Sequence, residues 1–244
     1  MKKRNEWSDA LDFNCKNIKL VICDWDGVIT ELGEYFINNL EGAARRCLLP
    51  TEPIRRIIEE IWIGESDGEY NLRGNIKAMW PYISKQETCK YIKAIENVEK
   101  ENPYPLIKGS LKALEKLKKE GMHIALCTAN NRRMLCRRLQ HVGICNDMFD
   151  VISTPDAFSA GAGKPDPYAL EYVLEKTRIA KEHALFIGDW TPDLFAARAA
   201  NISFIAVTSG GMSKKAILKK GVPENHIFKN LYSFVQFFLK ERKE

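Results

Sequence analysis

The chain has 244 residues, 45% of them hydrophobic, and carries 37 lysines and arginines against 32 acidic residues, a formal charge of +5. That apolar content supports a packed core and excludes global disorder, and the length fits one large domain or a core with a smaller insert. The positive excess is too mild to indicate nucleic acid, although it favours an anionic ligand.

The seven cysteines are odd in number and show no Cys-x-x-Cys spacing, which argues against a disulfide framework or a zinc site. His123, His141, His183 and His226 show no metal-ligand spacing either. Met1-Lys2-Lys3-Arg4 is followed by polar and acidic residues rather than an apolar stretch, and no apolar run is long enough to span a bilayer. The expectation is a reduced, cytoplasmic protein with no signal peptide and no membrane contact.

In chain order, the first apolar run, Ile18 to Cys23, ends at Asp24 and reads as a buried strand. From about Glu31 to about Tyr104 the pattern is helical and punctuated by Pro50, Pro53, Pro81, Pro103 and Pro105. This stretch is expected to be a helical cap, residues 31–104, inserted into a core of residues 1–30 and 105–244. Its return linker is Asn102 to Pro105, where X-Pro steps favour extended chain.

A helix marked by Leu111, Leu114 and Leu117 follows, with Ser110 as its cap and Gly121 as its stop. His123 to Cys127 is the second strand, and Asn131 to His141 a helix with Met134, Leu135 and Leu139 on one side. Arg132, Arg133, Arg137 and Arg138 on that helix read as a solvated face, since no nucleic-acid motif accompanies them. Strands at Val151 to Ser153, Ala184 to Ile187 and Ser203 to Val207 alternate with helices at Pro167 to Lys176 and Asp193 to Ala200. Phe234, Phe237, Phe238 and Leu239 read as a last helix packed on the sheet. The alternation predicts an α/β fold, a doubly wound parallel sheet.

Polar residues stand where these strands end: Asp24-Trp25-Asp26-Gly27, Thr128-Ala129-Asn130, Gly163-Lys164-Pro165, and Gly188-Asp189 with Asp193. In open α/β sheets ligands bind outside the carboxyl ends of the strands, so these groups converge there. Clustered carboxylates resist joint ionisation, and a divalent cation relieves them while accepting phosphate oxygens. A carboxylate so placed can attack phosphorus, with Lys164 and Thr128 holding the charged oxygens. Gly27 lets the chain turn sharply beside the site. Taken singly, each residue has a plainer reading: Asp24 and Asp26 as a turn, Thr128 as a helix cap, Lys164 as a loop lysine, Asp193 as a helix-start acid.

With four motifs in order, Asp24-Trp25-Asp26-Gly27-Val28-Ile29-Thr30, Thr128, Lys164 and Gly188-Asp189 with Asp193, the chain resembles the haloacid dehalogenase superfamily. The likeness extends to its phosphoglycolate-phosphatase and beta-phosphoglucomutase-like branch, which carries a helical cap. The resemblance implies a Rossmann-like core of strand order 3-2-1-4-5 and a magnesium-dependent phosphatase. It implies Asp24 as nucleophile and metal ligand, and Asp26 as acid/base with its carbonyl on the metal. Asp189 is then a further ligand, and Asp193 orients a metal-bound water or holds Lys164. Thr128, Ala129, Asn130 and Lys164 are implied to bind the phosphate. Val28 and Glu31 depart from the commoner Thr and Asp, on the route to the cap. Asp26 sets the chain apart from the dehalogenases proper.

The expected partner is a small phosphorylated metabolite, with Trp62, Arg73 and Trp80 of the cap as candidate substrate contacts. Arg73 is read with the turn-like stretch Gly64 to Glu69. A phosphomutase using the same intermediate is the near alternative. A phosphorylation-switch module is the distant one, disfavoured because the third strand ends at Ser153-Thr154 without an aspartate.

Overall fold

The structure, a computed structural model, describes residues 14–64, 66, 72–158 and 163–244. Leu20–Cys23 is buried at every position and forms strand β1, as a strand covered on both faces requires. Four helices come next: α1 (Gly33–Arg46), α2 (Glu52–Ile63), α3 (Leu72–Met79) and α4 (Lys85–Glu101). The chain continues through α5 (Ser110–Lys119), β2 (His123–Cys127), α6 (Arg132–Val142), β3 (Val151–Ser153) and α7 (Tyr168–Thr177). It ends with β4 (Ala184–Gly188), α8 (Thr191–Ala200), β5 (Ser203–Val207), α9 (Lys214–Lys219), β6 (Ile227–Phe228) and α10 (Leu231–Glu241).

The strands form one sheet in the order β3-β2-β1-β4-β5-β6, with every pairing parallel. This is the expected order, extended by β6, whose two residues are too short to register as an apolar run. Successive side chains of β1 point to opposite faces. Val21 and Cys23 join a cluster with Leu114, Leu117, Leu135 and Phe234. Leu20 and Ile22 join another with Leu170, Val173, Leu194 and Ala197. Helices α5, α6 and α10 thus cover one face, and α7 and α8 the other. Each fully buried Leu, Ile or Phe in these layers contributes about 1.5–3 kcal/mol.

Helices α1 to α4 build a separate cluster around Ile37, Leu40, Ile54, Ile58, Ile76 and Tyr91. Ser84 and Glu87 form a capping box that starts α4, and the Tyr91 hydroxyl donates to Leu40 O at 2.9 Å. The chain leaves and re-enters the core through adjacent segments: Glu31 N donates to Pro105 O at 2.8 Å and Ile107 N to Ile29 O at 3.0 Å. Ser110 does not cap α5. Gly109, at a left-handed φ of 89°, occupies the cap position, and the Ser110 hydroxyl donates instead to Ile29 O at 2.8 Å. Phe237 is 41% exposed, so α10 packs through Phe234 and Phe238 rather than through all its phenylalanines. Among the described residues no helix is long and apolar enough to cross a membrane.

Candidate active site

Strand order reverses between β1 and β4, and both strands end in an aspartate. Asp24 follows β1, its N–H donating to Ile187 O of β4 at 2.9 Å, and Asp189 follows β4. This is the crevice in which open α/β sheets bind ligands. Asp193, in the first turn of α8, uses one oxygen to accept from the backbone N–H groups of Asp189 (3.2 Å) and Trp190 (3.0 Å). Its other oxygen lies 2.6 Å from Lys164 Nζ. The two sequence readings of Asp193, helix-start acid and partner of Lys164, therefore describe its two oxygens.

Lys164 is 5% exposed at its side chain and also stands 2.9 Å from Asp24 Oδ1; it donates to Cys127 O at 3.2 Å. It is no exposed loop lysine. Asp24, Asp189 and Asp193 are all buried and offer carboxylate oxygens within 4.8 Å of one another. Close approach here needs glycine. A Cβ on Gly27 would fall 2.3 Å from Asp189 Oδ2, and one on Gly210 only 1.7 Å from it. Gly211 N donates to the same oxygen at 3.2 Å. The sequence reading assigned no role to Gly210 or Gly211, whose only signal is an adjacent pair just beyond β5.

Burial pushes the Asp24 carboxyl up to about 7; Lys164 opposes this, while Asp193 and Asp26 add to it. Burial, then Asp193 and Asp24, raise Asp189 well above the usual carboxylate range. Burial works against the Lys164 charge, but Asp193 and Asp24 more than offset it and raise its pKa. Three buried carboxyl groups thus gather around one ammonium, a pocket rich in hard oxygen donors. Such a donor set fits a cation of the magnesium type rather than a soft metal.

Asp26 faces another group of residues. Asn130 Nδ2 donates to Asp26 Oδ2 at 2.7 Å and to Thr128 Oγ1 at 2.9 Å. Thr128 does not cap α6; Asn131 does, its Oδ1 accepting from Met134 N at 2.9 Å. Ala129 lies exposed between Thr128 and Asn130.

The expected solvated arginine face holds at Arg132 and Arg133, which are exposed, and needs correction at Arg138. Arg138 is only 10% exposed at its side chain and contacts Asp26 Oδ1 at 2.6 Å. It also bonds Glu99 of α4 at 2.7 Å. Arg133 pairs with Glu96 at 2.7 Å, and Arg137 lies 3.5 Å from Glu99. This side of α6 meets acidic residues of α4, and Arg138 turns inward to pair with Glu99 and Asp26 while Arg133 stays exposed. Periodicity marks such a stripe as polar whether water or carboxylates face it.

The three cap candidates separate. Trp62 reaches the rim of the site: a Cβ on Gly211 would fall 1.8 Å from its Nε1, and its carbonyl accepts from Ser213 N at 2.8 Å. Trp80 is buried in the helical cluster, its Nε1 donating to Pro50 O at 3.2 Å and its ring set edge-on to Tyr91. Arg73 lies in α3, where its guanidinium rests 3.8 Å from Cys89 Sγ rather than on a site residue. Most of the turn-like stretch Gly64 to Glu69 lies outside the described residues.

Fold and site together define a parallel α/β protein with a buried carboxylate cluster at its topological switch. Residues 21–207, more than half of the chain, match the haloacid dehalogenase-like hydrolase family, and the chain belongs to that family. It is 25% identical over 197 residues to a phosphoglycolate phosphatase of Pseudomonas fluorescens, covering 79% of this chain and 70% of that protein. It is 34% identical over 107 residues to one of Vibrio vulnificus. That match spans 44% of each chain, less than half the length of that relative.

Among solved structures, a protein described as a phosphoglycolate phosphatase from Haemophilus somnus superposes with a TM-score of 0.73 at 21% identity, over 91% of this chain and 98% of that one. One described as a beta-phosphoglucomutase from Thermotoga maritima gives 0.70 at 21% identity, over 91% and 99%. At these identities the likeness is one of fold.

Proposed function

We propose that the protein is a magnesium-dependent phosphatase that hydrolyses a small organic phosphate monoester through an aspartyl-phosphate on Asp24. The observation that carries this reading is the position of Asp24, buried at the switch point with Lys164 at 2.9 Å and two further carboxylates around it. Family membership and the phosphatases among its relatives support it.

An Asp24 oxygen attacks phosphorus and the ester P–O bond breaks. Asp26 protonates the departing alkoxide. Water then attacks the phosphorus of the aspartyl-phosphate, giving its proton to Asp26, and Asp24 returns to the carboxylate with release of phosphate. Lys164, Thr128, Asn130 and the backbone at Ala129 hold the phosphoryl oxygens. Asp24, Asp189 and the Asp26 carbonyl would hold magnesium, which would supply positive charge that lets anionic ester and carboxylates coexist. Asp193 fixes Lys164. The helical segment, residues 31–104, serves as a cap that encloses substrate, with Trp62 at its contact with the rim.

The test is phosphate release from a panel of esters, phosphoglycolate and sugar phosphates included, with magnesium or EDTA and with Asp24→Asn as control. Magnesium-dependent release abolished by the substitution is expected. Turnover retained by pure Asp24→Asn protein overturns the mechanism, and an isomeric sugar phosphate in place of free phosphate assigns a mutase.

A further inference from the structure

Asp26 is held by a residue that the chemistry above does not use. Arg138, on α6, splits its guanidinium between two carboxylates that belong to different parts of the molecule. Its Nη1 donates to Asp26 Oδ1 at 2.6 Å and to Oδ2 at 2.8 Å. Its Nε and Nη2 donate to Glu99 Oε1 and Oε2, both at 2.7 Å. The guanidinium lies 4.9 Å from the ring centroid of Tyr104, in the linker that returns from the helical segment. Glu99 sits near the end of α4 and is 3% exposed at its side chain. The planar fork reaches both oxygens of Asp26 and both of Glu99, a bidentate geometry that a single ammonium does not reproduce.

A plain docking pair between α4 and α6 would need Arg138 and Glu99 alone. The third partner, Asp26, distinguishes this arrangement. Its two oxygens take donors from Arg138 and from Asn130, and Asn130 is itself fixed on Thr128. Such second contacts set the rotamer of a reacting carboxylate, and small misplacements of reacting groups cost large factors in rate.

We propose that Arg138, braced by Glu99, is the positioning residue of Asp26, orienting the carboxylate toward the leaving oxygen and tying that orientation to the seating of the helical segment on the core. This rests on the phosphatase reading above. Asp26 serves the leaving group by protonating it, so loss of position is felt most where the leaving oxygen needs a proton. A simple alkyl phosphate needs one; 4-nitrophenyl phosphate, whose leaving group is stable as an anion, does not.

The experiment measures kcat/KM for both esters, because that ratio reports the steps through leaving-group departure. The proteins compared are wild type, Glu99→Gln, Arg138→Lys and the double variant Arg138→Met with Glu99→Gln. Removing Arg138 alone strands the deeply buried Glu99, whereas the double variant removes that charge too and leaves only the more exposed Asp26 unpaired. General acid catalysis is worth ~10²–10⁴-fold, so the double variant is expected to lose about tenfold or more on the alkyl ester and under about threefold on the nitrophenyl ester. Arg138→Lys and Glu99→Gln fall between it and wild type, in the same direction. If the double variant does not fold, Glu99→Gln carries the comparison. Equal losses on the two esters, or none on either, overturn the proposal. Asp24→Asn run beside them separates the two failures: if it retains turnover, the phosphatase reading itself falls.

Discussion

Replacing Lys164 with methionine removes the ammonium that stands 2.9 Å from Asp24 and 2.6 Å from Asp193 while keeping most of the side-chain volume. Removing one partner of a buried ion pair costs about 3–5 kcal/mol. For a chain of this length each kcal/mol is about 2–4 °C, so the melting temperature falls by roughly 6–20 °C at about pH 8 in EDTA.

The loss depends on pH, and its sign follows from the carboxylates. Burial already pushes Asp24 up to about 7 against the opposing effect of Lys164, and without that lysine it rises further. From about pH 4 upward the unfolded chain has lost protons that the native site still holds, so stability declines as pH rises through this window. The variant's deficit is therefore largest near pH 8 and shrinks toward pH 5.5. Magnesium is expected to restore part of it at the higher pH, because the proposed cation site exists only in the folded cluster. Thermal unfolding of both proteins at the two pH values, with EDTA or magnesium at matched ionic strength, measures this. A deficit below about 1 kcal/mol, or one equal at both pH values, refutes the claim that Lys164 offsets buried negative charge.

Gly210→Ala places a Cβ 1.7 Å from Asp189 Oδ2. The carboxylate must move, and magnesium-dependent turnover and magnesium-induced stabilisation are expected to fall about tenfold or more, at a folding cost of roughly 1–3 kcal/mol. A magnesium titration followed by melting temperature checks this; unchanged affinity contradicts it. The thiols should divide by burial. Cys89, Cys136 and Cys145 are exposed and react at once with an aromatic disulfide reagent, whereas Cys23 and Cys127 are buried and wait for denaturant. Burial pushes Cys127 up to about 12 and Cys23 higher still. Prompt labelling of either buried thiol in native protein contradicts the sheet assignment.

The sheet was legible because a strand covered on both faces must be apolar throughout, and Leu20–Cys23 and Ala184–Gly188 meet that demand without help from distant residues. The aspartates were legible because strand ends at a switch point concentrate chemistry. What escaped notice depended on partners far away in the chain. Ser110 looks like a helix cap until its hydroxyl is seen bonded to Ile29, 81 residues earlier. Trp80 looks like a substrate contact until α1, α2 and α4 close around it. Strand β6 gains its identity only from its register beside Ala206 and Val207.

Arg138 is the sharpest case, because local sequence gives it the same reading as Arg132, which begins α6. Its partners are 112 and 39 residues away, and only their meeting turns a surface-type residue into a buried one. That meeting also explains how Asp24 and Asp26 coexist on one short turn. Lys164, from the loop before α7, offsets the Asp24 charge from the core side. Arg138 offsets that of Asp26 from the side facing α4. Each aspartate therefore has its own cation, and each cation is shared with a second carboxylate, Asp193 or Glu99. The arrangement leaves Asp189 as the cluster carboxylate without a paired cation at hydrogen-bond distance among the described residues, held only by the Gly211 N–H. Burial holds the Asp189 carboxyl well above the usual range, so on the proposed magnesium reading a cation there would gain by releasing that proton.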